Sequence, residues 1–204
     1  MAQKNYTTPQ GTAVWPKISK PETKFDAEGV YETQLQLGAE EGAIFLSKVE
    51  KHLEEWHDSE QKRLGKNIQK YALPHKKDMT QDGEETGNHL FKFKLKAMAG
   101  KPGNKWEQKP KIFDSTGNPI KPEDISIGSG SKIRIGFSIH NWYSPSLGCG
   151  LSLQLKSVVV DDLVEFGGDS FDSFGFDKSE GGFVHNTGDE SPVGETFDQG
   201  KSDF

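Results

Sequence analysis

The chain reads as a mainly β protein, a small antiparallel barrel with one inserted α-helix and an acidic, flexible C-terminal tail. Three observations carry this reading. Apolar residues recur at every second position in several segments, which puts one face of a strand in a core and the other in solvent. One stretch alone switches to apolar spacings of three and four, the mark of a helix face. After Val160 the large aliphatic residues nearly vanish while acidic ones accumulate, and such a composition buries too little apolar surface to offset the entropy of ordering.

The elements follow in order. "GTAVWPKISKP" predicts a first extended run, with Val14 and Ile18 on one side and Trp15 and Lys17 on the other. "GVYETQLQL" alternates strictly, placing Tyr31, Thr33, Leu35 and Leu37 inward. From about residue 40 to 63, Phe45, Val49, Leu53 and Trp56 fall on one helical face. Residues 64–88 hold no sustained period and many turn formers, so they read as a long surface loop, a length that goes with function or mobility. "FKFKLKA" buries Phe91, Phe93 and Leu95. A basic turn region and a short "IFD" run lead to a long strand with Ile133, Ile135, Phe137 and Ile139 inward, and "GLSLQLKSVVV" adds Leu151, Leu153 and Leu155. Alternating strands with short turns, one helix and no βαβ pattern predict a five-stranded OB-like barrel over residues 1–160, with 161–204 as the tail.

Composition narrows the function classes. No run approaches the roughly 18 apolar residues of a membrane span, and the first ten residues lack a signal-peptide core, so a soluble intracellular protein without membrane contact is expected. Cys149 is the sole cysteine; it permits neither an intrachain disulfide nor a cysteine-based zinc site, and reads as a structural thiol. The net charge of −6 hides an asymmetry: residues 1–160 carry +4 and residues 161–204 carry −10. Within the first part, residues 86–160 hold 11 basic against 4 acidic side chains. A basic surface joined to an acidic tail is the pattern of a binding protein.

The outward positions suggest a ligand. Lys92, Lys94 and Lys96 form a row on one face of their strand, which serves equally as a solubilising edge. If Ile133 to Ile139 face in, Lys132, Arg134, Gly136, Ser138, His140 and Trp142 face out. Trp15 stands beside Lys17, and Trp106 lies among Lys101, Lys105, Lys109 and Lys111. Cations interleaved with large aromatics suit a single strand of nucleic acid, since cations track phosphates and rings stack on unpaired bases. Trp142 and Tyr143 are adjacent and point oppositely, so one of them belongs to the framework. The tail holds 7 of the 13 phenylalanines, a composition for contacting partners, with Phe197, Asp198, Asp203 and Phe204 at its end. "GSGSK" lacks phosphate-loop spacing, His52 and His57 lie on different helix faces, and Asp78, Asp82, Glu84 and Glu85 lack calcium-loop spacing. No motif places a catalytic site, and no cofactor is implied.

Taken together, "GTAVWPKISKP", "GVY", "FKFKLKA", "FDSTGNPIKPEDISIGSGSKIRIGFSI", "LSLQLKSVVVDDLVEFGG" and an acidic tail ending in Asp-Phe resemble the single-stranded DNA-binding proteins of lytic short-tailed bacteriophages. The resemblance covers most of residues 11–168 in order. It implies an OB-fold that coats single-stranded DNA without sequence preference and promotes annealing in replication, recombination and repair. It further implies a tail that contacts the phage DNA polymerase and primase-helicase and competes with DNA for the basic groove, a capacity to dimerise, and action in the cytoplasm of the infected bacterial host. The family stacks bases on aromatics before the last barrel strand, where this chain has Trp142 and Tyr143. Here the tail is less densely acidic and richer in phenylalanine and glycine. An RNA-binding module and a protein-interaction or structural phage protein share the same residue pattern and stay open as alternatives.

Overall fold

The computed structural model describes residues 4–165. Along the chain run β1 (Asn5–Thr7), β2 (Gly11–Glu22), β3 (Val30–Leu37), α1 (Ala39–Leu64), β4 (His75–Met79), β5 (Glu85–Lys96), β6 (Met98–Lys101) and β7 (Asn104–Glu107). Then come β8 (Lys111–Asp114), β9 (Pro119–Ile120), β10 (Lys132–Ser144) and β11 (Gly148–Asp162). Five long strands make the body. Their pairings run from β2 to β3, β5, β11 and β10 and return to β2; all are antiparallel except β5 with β11, which is parallel. That ring is the connectivity of the OB barrel predicted from the alternating pattern. The short strands extend it: β1 pairs with β10, β4 with β5, and β8 with β11 and β9, while β6 and β7 form a separate hairpin.

The period-two residues fill the interior. Phe91, Phe93, Leu35, Ile133, Ile135, Leu153 and Leu155 are all fully buried, each contributing about 1.5–3 kcal/mol over an exposed position. Phe45 of α1 inserts into this cluster, meeting Phe91 edge-on at 4.7 Å and Phe137 at 5.7 Å. Val49 and Leu53 continue the buried face at intervals of four. Glu40 and Glu41 sit in the first turn and Lys62 and Arg63 in the last, each complementing the helix dipole. Gly65, at φ 63°, closes the helix with its N–H on the Gln61 carbonyl.

The structure corrects the sequence reading at three places. In β2 the buried apolar side chains are Ala13 and Ile18, not Val14 and Ile18; Trp15 adopts φ 49° and the register with β3 jumps between Val14 and Lys17, so a bulge shifts the alternation. Residues 64–88 are not one loop: β4 folds back on β5 as a hairpin, and Lys70 bridges to Cys149. Ser138, expected in solvent, is fully buried and donates to Gln154 Oε1, while Ile139 is only half-buried. The pairing of β10 with β11 skips Lys156 just before this point. Cys149 is buried, and burial pushes its thiol pKa up, as fits a structural thiol.

Candidate nucleic-acid interface

An open groove of about 1110 Å³ crosses the outer face of β3, β5, β11 and the end of β10. Strict alternation on β5 aims Lys92, Lys94 and Lys96 into it, opposite the inward Phe91, Phe93 and Leu95. Glu32 on neighbouring β3 lies 3.0 Å from Lys92 Nζ and 3.7 Å from Lys94 Nζ. These ion pairs are partly exposed and hold the ammonium groups loosely.

Trp142 stands at one end of the groove with His140. Two neighbours fix its ring. It packs against Gly150, its partner across the β10–β11 pairing, where a side chain would collide with it. Tyr71 meets it edge-on with centroids 5.2 Å apart. Backbone bonds to the buried Cys149 bring Tyr71 there: the Tyr71 N–H donates to the Cys149 carbonyl at 2.6 Å, and the Cys149 N–H donates to the Gln69 carbonyl at 2.9 Å. The result is a ring pair facing a row of cations.

A hydrogen-bonded histidine pair borders the groove through His75. His75 Nε2 and His89 Nδ1 lie 2.9 Å apart, with the rings stacked at 5.1 Å. Burial, then the neighbouring His89 and Lys77, pull the His75 pKa below its ordinary value. The ring therefore favours its neutral form.

The other candidate residues lie elsewhere. Tyr143 points away from Trp142, and Lys66 stands 5.9 Å over its ring. Trp15 is 72% exposed, on the β2 bulge, and Trp106 is 56% exposed, on the β6–β7 hairpin; neither lines the groove. Lys105 on that hairpin pairs with Glu28, and Lys109 lies 3.2 Å from Glu107. Lys101 and Lys111 are exposed outside the groove lining. Lys17 lies 4.0 Å from Glu22, and Lys132 donates to Thr12 Oγ1 at 2.8 Å. Arg134 makes a two-pronged contact with Asp161 at 2.7 and 2.9 Å, which lowers the Asp161 pKa and raises its own. Phe197, Asp198, Asp203 and Phe204 lie outside the described residues.

Sequence reasoning missed Tyr71, His75 and Phe25, all of which line the groove. None sits in an alternating apolar pattern, so no local signal announced them. Among the described residues, no three or more His, Cys, Asp or Glu are grouped so as to hold a metal ion, and no helix is long and apolar enough to cross a membrane.

Comparisons with known proteins converge on one family. The family model "Single-stranded DNA-binding protein, Bacteriophage T7" matches residues 12–163. The single-stranded DNA-binding protein of Enterobacteria phage T3 is 28% identical over 201 residues, covering 89% of this chain and 86% of the relative. That of Escherichia phage T7 is 28% identical over 204 residues, covering 90% and 86%. The crystal structure of gp2.5, the T7 single-stranded DNA-binding protein, superposes with a TM-score of 0.67 at 25% identity, covering 91% of this chain and all of that one. The single-stranded DNA-binding protein of bacteriophage Enc34, solved in complex with single-stranded DNA, shares the fold at 14% identity with a TM-score of 0.58, covering 80% and 89%. With the family model spanning the whole barrel, the chain belongs to the bacteriophage T7 single-stranded DNA-binding protein family.

Proposed function

We propose that this protein binds single-stranded DNA without sequence preference, as a non-enzymatic accessory of phage replication and recombination. The observation that carries the reading is the groove itself, in which the Lys92, Lys94 and Lys96 row faces the Trp142 and Tyr71 rings. Lysines neutralise phosphates whatever the sequence, and every base offers a face to a ring; stacking contributes about 1–3 kcal/mol per base. Coating of exposed strands follows, and so does promotion of annealing, because a protein that contacts backbone and base faces leaves room for complementary strands to exchange. The acidic, phenylalanine-rich segment 161–204 supplies the contact with the phage DNA polymerase and primase-helicase, the protein forms a homodimer, and its site of action is the cytoplasm of the infected host. Family membership supports these roles.

Fluorescence anisotropy with labelled oligo-dT, matched oligo-U and a duplex of the same length tests the reading. Tight, salt-sensitive binding of oligo-dT, with weaker binding of duplex and no cleavage on adding magnesium, is the expected result. Preference for oligo-U would make the protein an RNA binder, and no binding to any of the three at low salt would overturn the groove assignment.

A further inference from the structure

We propose that Phe25 is a second stacking station at the opposite end of the groove from Trp142, so that one strand is gripped at both ends with the lysine row between. The inference rests on the groove being the DNA site.

Phe25 lies in the turn from β2 to β3, a loop position that nucleic acids contact in OB barrels. Its ring is 89% exposed and still lines the groove. A large apolar side chain in that condition gives the fold almost nothing, since its surface stays in water. The turn is nevertheless well held. Asp26 accepts the Glu28 N–H at 3.1 Å, Glu22 accepts the Lys24 N–H at 2.9 Å, and Glu28 pairs with Lys105 on the β6–β7 hairpin. Lys24 Nζ lies 5.5 Å from the Phe25 ring centre. A ring presented outward on an ordered turn, beside a cation, is a platform for an unpaired base.

The register locates the two stations. Trp142 pairs with Gly150 on β11, and β11 runs parallel to β5 with Leu153 opposite Phe93, which puts Trp142 level with Leu90. The turn carrying Phe25 ends where Val30 pairs with Lys96. Six residues of strand, about 20 Å, separate the two levels, and Lys92, Lys94 and Lys96 occupy the interval. Glu22 and Glu28 at this end already face Lys17 and Lys105, and the Phe25 ring carries no charge, so this station adds base stacking and not phosphate neutralisation.

Titrations of wild type, Phe25→Ala and Trp142→Ala with oligo-dT of about 4 and about 16 nucleotides, the limits of OB-fold site sizes, test the proposal. Phe25→Ala is expected to weaken the longer strand about ten-fold with its salt slope unchanged, and to leave the shorter strand bound as in wild type through Trp142. Trp142→Ala is expected to weaken both. Phe25→Trp is expected to restore the longer strand and add a quenched fluorophore. Wild-type affinity of Phe25→Ala for both lengths, or an equal loss on both, would overturn the second station alone. Failure of the wild-type protein to bind either strand would overturn the groove reading and this proposal with it.

Discussion

The indole of Trp142 fills the space that a side chain on Gly150 would need: a β-carbon there would stand 2.6 Å from the ring carbon Cη2. The two residues face each other across the β10–β11 pairing, so the missing side chain of one sets the pose of the other. Gly150→Ala is therefore expected to displace the ring without unfolding the barrel. Oligo-dT affinity should fall by roughly one stacking contribution, about 1–3 kcal/mol, with the far-ultraviolet circular dichroism unchanged.

Glu32 competes with phosphate for the lysine row. Its carboxylate lies within 4 Å of both Lys92 Nζ and Lys94 Nζ, and because these pairs are partly exposed, each stabilises the fold by about 1 kcal/mol or less. Glu32→Gln should leave the thermal midpoint nearly unchanged and tighten oligo-dT binding at low salt. Lys92→Ala with Lys94→Ala should weaken all sequences about equally and flatten the log–log salt dependence by about 1.4, near 0.7 for each phosphate no longer neutralised. Titrations at several salt concentrations measure both effects.

Arg134 offers a contrast. Sequence alternation puts it among the phosphate binders, but its guanidinium is engaged by Asp161 and lies outside the groove. Arg134→Ala should leave oligo-dT affinity within about two-fold of wild type and cost about 1 kcal/mol or less of stability, given its partial exposure. Parallel binding and melting curves separate the two readouts.

The His75–His89 pair predicts a pH dependence. The folded protein holds the His75 pKa below its unfolded value of about 6.5, so on acidification the unfolded chain takes up the proton first. The contribution is complete above the unfolded value and is lost as the pH falls through the folded one. Urea midpoints should be lower at about pH 5.5 than at about pH 7.5, and His75→Gln should flatten that difference. An unchanged difference in the variant would assign the effect to other groups.

How much of this is legible in the sequence follows from the kind of pattern each residue belongs to. "FKFKLKA" is readable because a strict period of two leaves one choice of faces, and the burial of Phe91 and Phe93 agrees with it. Trp15 is not, because a left-handed backbone is uncommon at any residue but glycine and nothing local marks the bulge it creates. β4, "HKKDM", has no buried residue and so no apolar rhythm; it is a strand because β5 offers it an edge. Alternation also states which way a side chain leaves its strand, not which side of a closed barrel it reaches. Lys94 and Arg134 both point outward, yet only Lys94 meets Trp142 in the groove. Tyr71 and Trp142 are brought together by backbone bonds to Cys149, an arrangement that exists only once the segment after α1 has docked on β11.

The most direct test of the central claim uses Trp142 as the sole tryptophan, with Trp15, Trp56 and Trp106 replaced by phenylalanine. Among the described residues no protein group accepts a hydrogen bond from Trp56 Nε1, so its replacement breaks none there. Titration of this protein with oligo-dT should quench the remaining fluorescence strongly and saturably, with the quench reversed by added salt. Saturable binding with the Trp142 emission unaltered would contradict the account, because the strand would then lie on a surface away from this ring.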